Sequence, residues 1–557
     1  MRIRTSRLAG PASSAADETR PAETRPGEPW PDDPRPDDPP PGEPPPNERD
    51  LAASIFPWAR TAALVAVGAL VAIVVAAILL RFTDLATLPG GLYPDEAAEG
   101  LDAQRILHQP GFHPEWFVWF VGDGGREALF AYVVAVVFHF FGETVLTLRG
   151  AAAGFGVAGV VAVWFLARRW GTWVGLTTAA WAATSLWLVV ISRDGMRNTI
   201  VPFFGAVALL ALLLWLARSS RWTAALAGAA VALCTLYTYQ PLKLLPVLIV
   251  AWLWWLRRSD PSTYERLRGG WRQFVAAFLV VAAPMIAVAI TMPTNYFGRV
   301  AYVSAFNPDV PSDSNFLIHW VRTIGAFGFV GDPNARQDVS AIPLLSIPLT
   351  LLAILGIVRL WRGRREPANA LILWSLPIFL APALLAVEGG SPHFLRLLGL
   401  AAPLGVTIGL GAAELVEQLH GHPGVWPARL GVAAVALGLA VTALGTWQAY
   451  STWPVAPRYD ADSFALVQLA DAAGRPNTAV IVDDYQKMDV QFIDYALSPT
   501  IFSPGDRIPN PQSFSQIVAL TRGDIAAAIG EKAAAGARAV AWDLSGNPVV
   551  WVLTEDK

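Results

Sequence analysis

Apolar runs of about the same length, separated by short polar or arginine-bearing links, recur along this chain from residue 60 to residue 447. A helix rises ~1.5 Å per residue, so ~20 apolar residues cover the ~30 Å hydrocarbon core of a bilayer. Runs near that length predict membrane spans at 60–80, 147–167, 173–191, 199–217, 222–239, 241–256, 273–292, 341–360, 369–387, 397–417 and 427–447, about eleven in all. A further run, "EALFAYVVAVVFHFF" at 127–141, is short and contains His139. Arginine positions decide its placement. If it does not span, then Arg168-Arg169, Arg218 with Arg221, the cluster from Arg257 to Arg272 and the cluster from Arg359 to Arg365 share one side, as the positive-inside rule asks. If it spans, the two largest basic clusters move outside. The run is therefore expected as an interfacial helix on the outer surface. An odd number of spans then puts the N-terminus in the cytoplasm and everything from Gln448 onward outside, in the cell membrane of a multi-pass protein.

Composition agrees with the pattern: 54% of the 557 residues are hydrophobic and only 15% charged, with 23 Trp. The expected class is an α-helical polytopic membrane protein over 57–447, with a first outer loop at 81–146 and a further outer loop at 293–340. Residues 1–56 are rich in Pro and acid, as in "RPGEPWPDDPRPDDPPPGEPPPNERD", and are expected to be a disordered cytoplasmic tail. They lack the short apolar core and small-residue cleavage site of a leader, so 60–80 is read as a retained first span. Residues 448–557 change character. "NTAVIVDDYQKMDVQFIDYAL" and "GARAVAWDL" read as short buried strands, and "DIAAAIGEKAAAG" as an amphipathic helix, which together predict a small extracytoplasmic α/β domain. No phosphate-loop or dinucleotide fingerprint occurs in it, and a lid or acceptor-docking role is expected. The net charge of −3 points to no nucleic-acid partner. Cys234, the single cysteine, allows no intrachain disulfide and no thiolate metal site.

The middles of these spans hold few ionisable residues, whereas coupled transporters and pumps carry them at mid-depth. Polar groups gather instead at the outer ends, in "LYPDEAAEGLDA", "GDGGREALF", "SRDGMRN", "YTYQPLK" and "EGGSPHFLR". In the first, Pro94 after Tyr93 predicts a helix start with Asp95 and Glu96 in its positive first turn. One reading is routine capping, with Glu99 and Asp102 continuing a solvated face. The other is chemical, because Arg126, Arg193, Arg197, Lys243 and Arg396 lie on the same side as these acids. Arginine binds phosphate oxygens with two parallel donors and stabilises charge on a leaving group. A single arginine at a helix end is ordinarily a snorkelling residue. Five basic residues in four separate loops, all on the acidic side, point to a phosphate-bearing lipid.

"GLYPDEAAEGLDA", "GREALFAYVVAVVFHFFGETVLTLRGAAAGFG", "ISRDGMRN", "YTYQPLKLLPVL" and "SPHFLRLLGLAAPL" resemble the pattern of GT-C fold glycosyltransferases. The resemblance is to the bacterial family-39 group related to dolichyl-phosphate-mannose-protein mannosyltransferases and lipid A aminoarabinose transferases, and it covers roughly Arg60 to Gly411. It implies a polyprenyl-phosphate-linked sugar as donor, transfer at the outer face of the lipid bilayer and inversion at the anomeric carbon. The family's loop acid matches Asp95, its neighbour Glu96, and the basic residue of the second surface helix Arg126. Many members carry Lys there and a Pro soon after, where this chain has Glu127-Ala128. On this reading Asp95 takes the acceptor proton or positions its hydroxyl, and Glu96 orients a neighbouring group. Arg126, Arg193, Arg197, Lys243 and Arg396 hold the departing phosphate, while Tyr93, Glu99, Tyr237, Tyr239 and His393 line the substrate pocket. The two tyrosines of "YTY" also fit interfacial aromatics. Asp95, Glu96, Glu99, Asp102, His113 and His393 offer oxygen and nitrogen donors, but no spacing among them is diagnostic, so no metal is assigned and a divalent ion stays open. The sugar and the protein, lipid or glycan acceptor are unnamed. Two other readings are a transporter or flippase for a lipid-linked precursor, which the sparse mid-span polarity disfavours, and a membrane scaffold, which leaves the one-sided clustering of charge unexplained.

Overall fold

The computed structural model describes residues 62–122, 125–307, 309, 316–334, 336–339, 341–420, 425–451, 468–469, 471–483, 487–542 and 546–554. The proline-rich tail lies outside the described residues. Helix α1 (Ala62–Phe82) is followed by α2 (Pro94–His108), a short antiparallel pair of β1 (Trp119–Phe120) with β2 (Arg126–Glu127), and α3 (Leu129–Phe141). Then come α4 (Val145–Ala167), α5 (Thr172–Thr184), α6 (Leu186–Ile191), α7 (Val201–Arg218) and α8 (Arg221–Leu236). They are followed by α9 (Leu245–Ser259), α10 (Pro261–Arg268) and α11 (Trp271–Thr291). Helices α12 (Pro293–Val303) and α13 (Phe316–Gly325) stand between α11 and α14 (Ile347–Arg362), after which α15 (Pro367–Leu385), α16 (Ala401–His420) and α17 (Trp426–Ser451) complete the helical part.

Each apolar window of the sequence is helical over most of its length. Among the described residues seven helices, those built on α1, α4, α7, α11, α15, α16 and α17, are long and apolar enough to cross a membrane. The windows at 173–191, 222–239, 241–256 and 341–360 form shorter helices. The first is interrupted at Ser185, whose backbone is extended. The third begins with a 3-10 turn at Gln240–Leu244. Helix α3, with 13 residues, is ~20 Å long and falls short of the hydrocarbon core.

The break at Ser185 frees the carbonyls of the last turn of α5, and in an apolar interior each must find a donor. Arg81 at the end of α1 donates to Ala183 O at 2.9 Å and Ala182 O at 3.0 Å, and Thr446 Oγ1 of α17 donates to Thr184 O at 2.7 Å. Three elements distant in sequence are thus tied at one kink. Helix α16 is enclosed by the others, whereas α1 and α17 keep apolar faces outward. Close approach of α14 and α16 rests on glycine. A Cβ on Gly356 would stand 1.8 Å from Thr407 O, and one on Gly411 would stand 1.8 Å from Leu352 O, so only hydrogen fits at either position.

The C-terminal region carries a five-stranded sheet in the order β4-β3-β5-β7-β6. Its strands are β3 (Thr478–Ile481), β4 (Thr500–Phe502), β5 (Gln516–Ala519), β6 (Arg538–Trp542) and β7 (Pro548–Thr554), with α18 (Lys487–Ile493) after β3 and α19 (Arg522–Ile529) after β5. β4, β3 and β5 are parallel, while β7 runs antiparallel to both β5 and β6. Alternate residues feed two cores: Val480 and Val518 face one side, Ala479, Ile481, Ile517 and Ala519 the other. Helix α18 docks on α2. The Phe492 ring fills the space above Gly100, where a Cβ would approach it to 2.4 Å, and Gln104 Nε2 donates to Phe492 O at 3.1 Å. The C-terminal sheet region therefore braces the helix that carries the acids.

Candidate functional site

Tyr93 is extended and precedes α2 without a side-chain cap, and Pro94 opens the helix. Glu96, Glu99 and Asp102 follow at intervals of three, so they share one face. That face is not solvated, contrary to the capping reading of the sequence. All three side chains are buried, and each meets a basic group from a different element. Arg149, in the first turns of α4, clasps Glu96 Oε2 with Nη2 at 3.0 Å and Nε at 3.1 Å. It also donates to Pro89 O and Gly91 O, both at 2.7 Å, which anchors the chain entering α2. Arg197 Nη1 bonds Glu99 Oε1 at 2.8 Å. Arg126 on β2 pairs with Asp102 and lays its guanidinium 5.4 Å from the centre of the Phe120 ring. Burial pushes the Glu96 and Glu99 carboxyls above the ordinary carboxylate range, against the pull of Arg149 on the first and of Arg197 and Arg126 on the second.

Asp95, one residue before Glu96 in the first turn of α2, is exposed. Near it stands Tyr239, half-buried, whose hydroxyl feels the charges of Arg197, Arg396, Arg299 and Asp95 together. Arg197 lies 5.7 Å from the centre of its ring. Lys243 Nζ bonds Glu127 Oε1 at 3.0 Å, and Arg197 Nε stands 3.7 Å from the other oxygen of that carboxylate. Arg299 and Arg396 share Glu388, at 3.0 Å and 3.6 Å. The structure so gathers Asp95, Tyr239, Arg197, Lys243 and Arg396 from four separate segments, and adds Glu127, Arg299 and Glu388.

Other expectations change. Arg193 is 0% exposed and donates to Leu80 O at 2.8 Å, Thr83 O at 2.6 Å and Leu88 O at 3.0 Å, with its guanidinium 3.8 Å from the Tyr450 ring centre. It ties off the end of α1, its guanidinium engaged by these carbonyls and the Tyr450 ring. Arg126 is likewise nearly enclosed by its pairing with Asp102. Tyr237 turns away from Tyr239 and donates to Val281 O of α11 at 2.6 Å, which makes it a packing residue. Tyr93 lies under the Arg336 guanidinium, 3.6 Å from its ring centre, at the entrance to α2. His393 is half-buried beside Gly389, and burial, then Arg396 and Arg299, hold its pKa well below the usual histidine range. His113 stacks on Phe117 and contacts Pro114 O, remote in role from the acids. Among the described residues no three His, Cys, Asp or Glu side chains are placed to hold a metal ion.

Sequence reading passed over Arg149 and Asp194. Asp194 is buried next to Glu96, and burial followed by that neighbouring carboxylate raises its pKa well above the carboxylate range. The available signal for Arg149 was a lone arginine at the mouth of an apolar run, which must be paired. For Asp194 it was an acid wedged between Arg193 and Arg197.

Acidic helix, basic rim and enclosed bundle together have the GT-C fold of polytopic membrane glycosyltransferases. In particular, the chain is similar to ArnT from Cupriavidus metallidurans in the apo state, with a TM-score of 0.56 and 16% identity over 88% of this chain and 98% of that one. Against ArnT from Cupriavidus metallidurans bound to undecaprenyl phosphate the TM-score is 0.51 and the identity 17%, over the same shares. No family model and no curated protein sequence matches the chain.

Proposed function

We propose that this protein is a membrane glycosyltransferase that moves a sugar from a polyprenyl-phosphate donor to an acceptor at the extracytoplasmic face, with Asp95 as the base. One observation carries the reading. Asp95 is the exposed carboxylate of a helix whose other three acids are buried against arginines, and it lies near Tyr239, which is ringed by Arg197, Arg396 and Arg299. The likeness in fold to ArnT, which binds undecaprenyl phosphate, supports the donor class.

The chemistry is a single displacement. The acceptor hydroxyl attacks the anomeric carbon as Asp95 takes its proton, the new C–O bond forms, and the bond to the phosphate oxygen breaks with inversion. Polyprenyl phosphate leaves with the electron pair, and its growing charge is met by Arg396, Arg299, Arg197 and Lys243. Glu96 positions rather than reacts: held by Arg149, it fixes the first turn of α2 and so the place of Asp95. The N-terminus lies in the cytoplasm and the C-terminal domain outside, so donor and acceptor meet where the first span leaves the bilayer. Incubating the purified protein with a panel of polyprenyl-phosphate sugars tests the reading, and release of free polyprenyl phosphate is the expected result. Movement of intact donors between leaflets without any release would replace the transferase with a flippase.

A further inference from the structure

The loop between α11 and α14 reads in sequence as an outer loop, yet its described part is built like a membrane surface. Helix α13 is two-faced. His319 and Thr323, with Ala326 just past the helix end, form its inner stripe at spacings of four and three and are buried, whereas Leu317, Val321 and Ile324 form the opposite stripe and are 71%, 64% and 51% exposed. Helix α13 contains no acidic residue, and its one arginine, Arg322, is exposed. Such a stripe is unfavourable in water, so its depth matters.

Hydrogen bonds set that depth. The last turn of α15 leaves its final carbonyls without intrahelical partners. His319 Nε2 meets Ala383 O at 2.8 Å, Trp320 Nε1 donates to Leu384 O at 3.0 Å, and the backbone N–H of Ala305, just past α12, donates to Leu385 O at 2.8 Å. Helix α15 is a 19-residue span, ~28 Å long, so its last turn marks the edge of the hydrocarbon core. Residues stapled there with an apolar side outward face lipid. Helix α12 continues the same surface from the end of α11, with Phe297 and Val300 exposed beyond Ile286 and Ile290 of that span, while Arg299 points inward to Glu388.

We propose that α13 is an interfacial helix whose Leu317, Val321 and Ile324 stripe is embedded in the leaflet boundary at the site end of the bundle, the partner being the bilayer surface itself. Arg322 then snorkels to the headgroups. The proposal stands apart from the transferase reading, since it rests on depth and polarity alone.

The test uses the full chain with Cys234→Ala, carrying a nitroxide on Leu317→Cys or Val321→Cys, in lipid nanodiscs. Power saturation with oxygen and with a water-soluble nickel chelate reads depth, with Val280→Cys in the span α11 and Ser513→Cys in the sheet domain as lipid and water references. Both α13 labels are expected to favour oxygen and to lie ~5–10 Å below the phosphates. Nickel accessibility equal to that at Ser513→Cys would overturn the proposal. So would low access to both reagents with dipolar broadening, which would mean that a second copy covers the stripe.

Discussion

Asp95 and Glu96 are consecutive on the first turn of α2 and live in opposite environments: Glu96 is 1% exposed and clasped by Arg149, itself 1% exposed, while Asp95 faces out beside Tyr239. The adjacency that looks like one acidic feature is two devices. One holds the helix in place; the other is available for chemistry.

Substitutions should separate them. Asp95→Asn is expected to keep the fold, since the side chain is exposed, and to lower sugar transfer by about 10²–10⁴-fold, the range of a general base. Wild-type transfer by this variant with an identified donor and acceptor would remove Asp95 from the mechanism.

Arg149→Ala is expected to act on stability first. It leaves Glu96 buried without its partner and frees the carbonyls of Pro89 and Gly91, a loss of about 3–5 kcal/mol for a broken buried pair. Thermal unfolding in detergent reads the loss. An unchanged midpoint would mean that the pair contributes little.

Arg396→Ala should weaken donor binding as well as turnover, because a phosphate contact serves the ground state and the transition state alike. A charge-assisted bond of about 1.5–3 kcal/mol corresponds to roughly 10- to 150-fold in Kd for polyprenyl phosphate. Arg193→Ala should instead lose folded protein, since its guanidinium closes the end of α1.

The segment preceding α14 should weaken as pH rises. Burial, then the neighbouring Asp332, pushes the Asp338 carboxyl up to about 8, and burial brings Asp332 to about 6. The folded state thus binds protons that the unfolded chain releases near the ordinary carboxylate value. Stability from these groups is full at about pH 4 and falls as pH climbs through 6 and 8. Asp338→Asn should flatten that slope and raise the melting temperature at pH 8 relative to wild type. A slope unaltered by the substitution would place the titration elsewhere.

Topology is open to direct labelling. With Cys234→Ala as background, a cysteine at Ser513 should react with a membrane-impermeant reagent from outside, and one at Ser262, in α10 beside the basic cluster, should not. The reverse pattern would invert the protein in the membrane.

Much of the architecture was legible because it follows from local physics. Runs of about twenty apolar residues can only be buried or spanning, Pro94 after Tyr93 starts a helix, and alternating Val and Ile in the last hundred residues must lie on a sheet. The sequence by itself also determined that Glu96, Glu99 and Asp102 share a face, since a spacing of three does so on any helix. It could not determine which arginine each would meet. Arg149, Arg197 and Arg126 come from 53, 98 and 24 residues away, and charge alone did not separate Arg193, spent on carbonyls at and just past the end of α1, from Arg396, at the rim of the site. Tyr237 and Tyr239 are two residues apart and serve different purposes because a turn of backbone aims one at Val281 and the other at the arginines. Only tertiary structure decides such pairings. A buried charge is stable where a partner from elsewhere in the chain arrives at hydrogen-bond distance, and that arrival is set by how the helices pack.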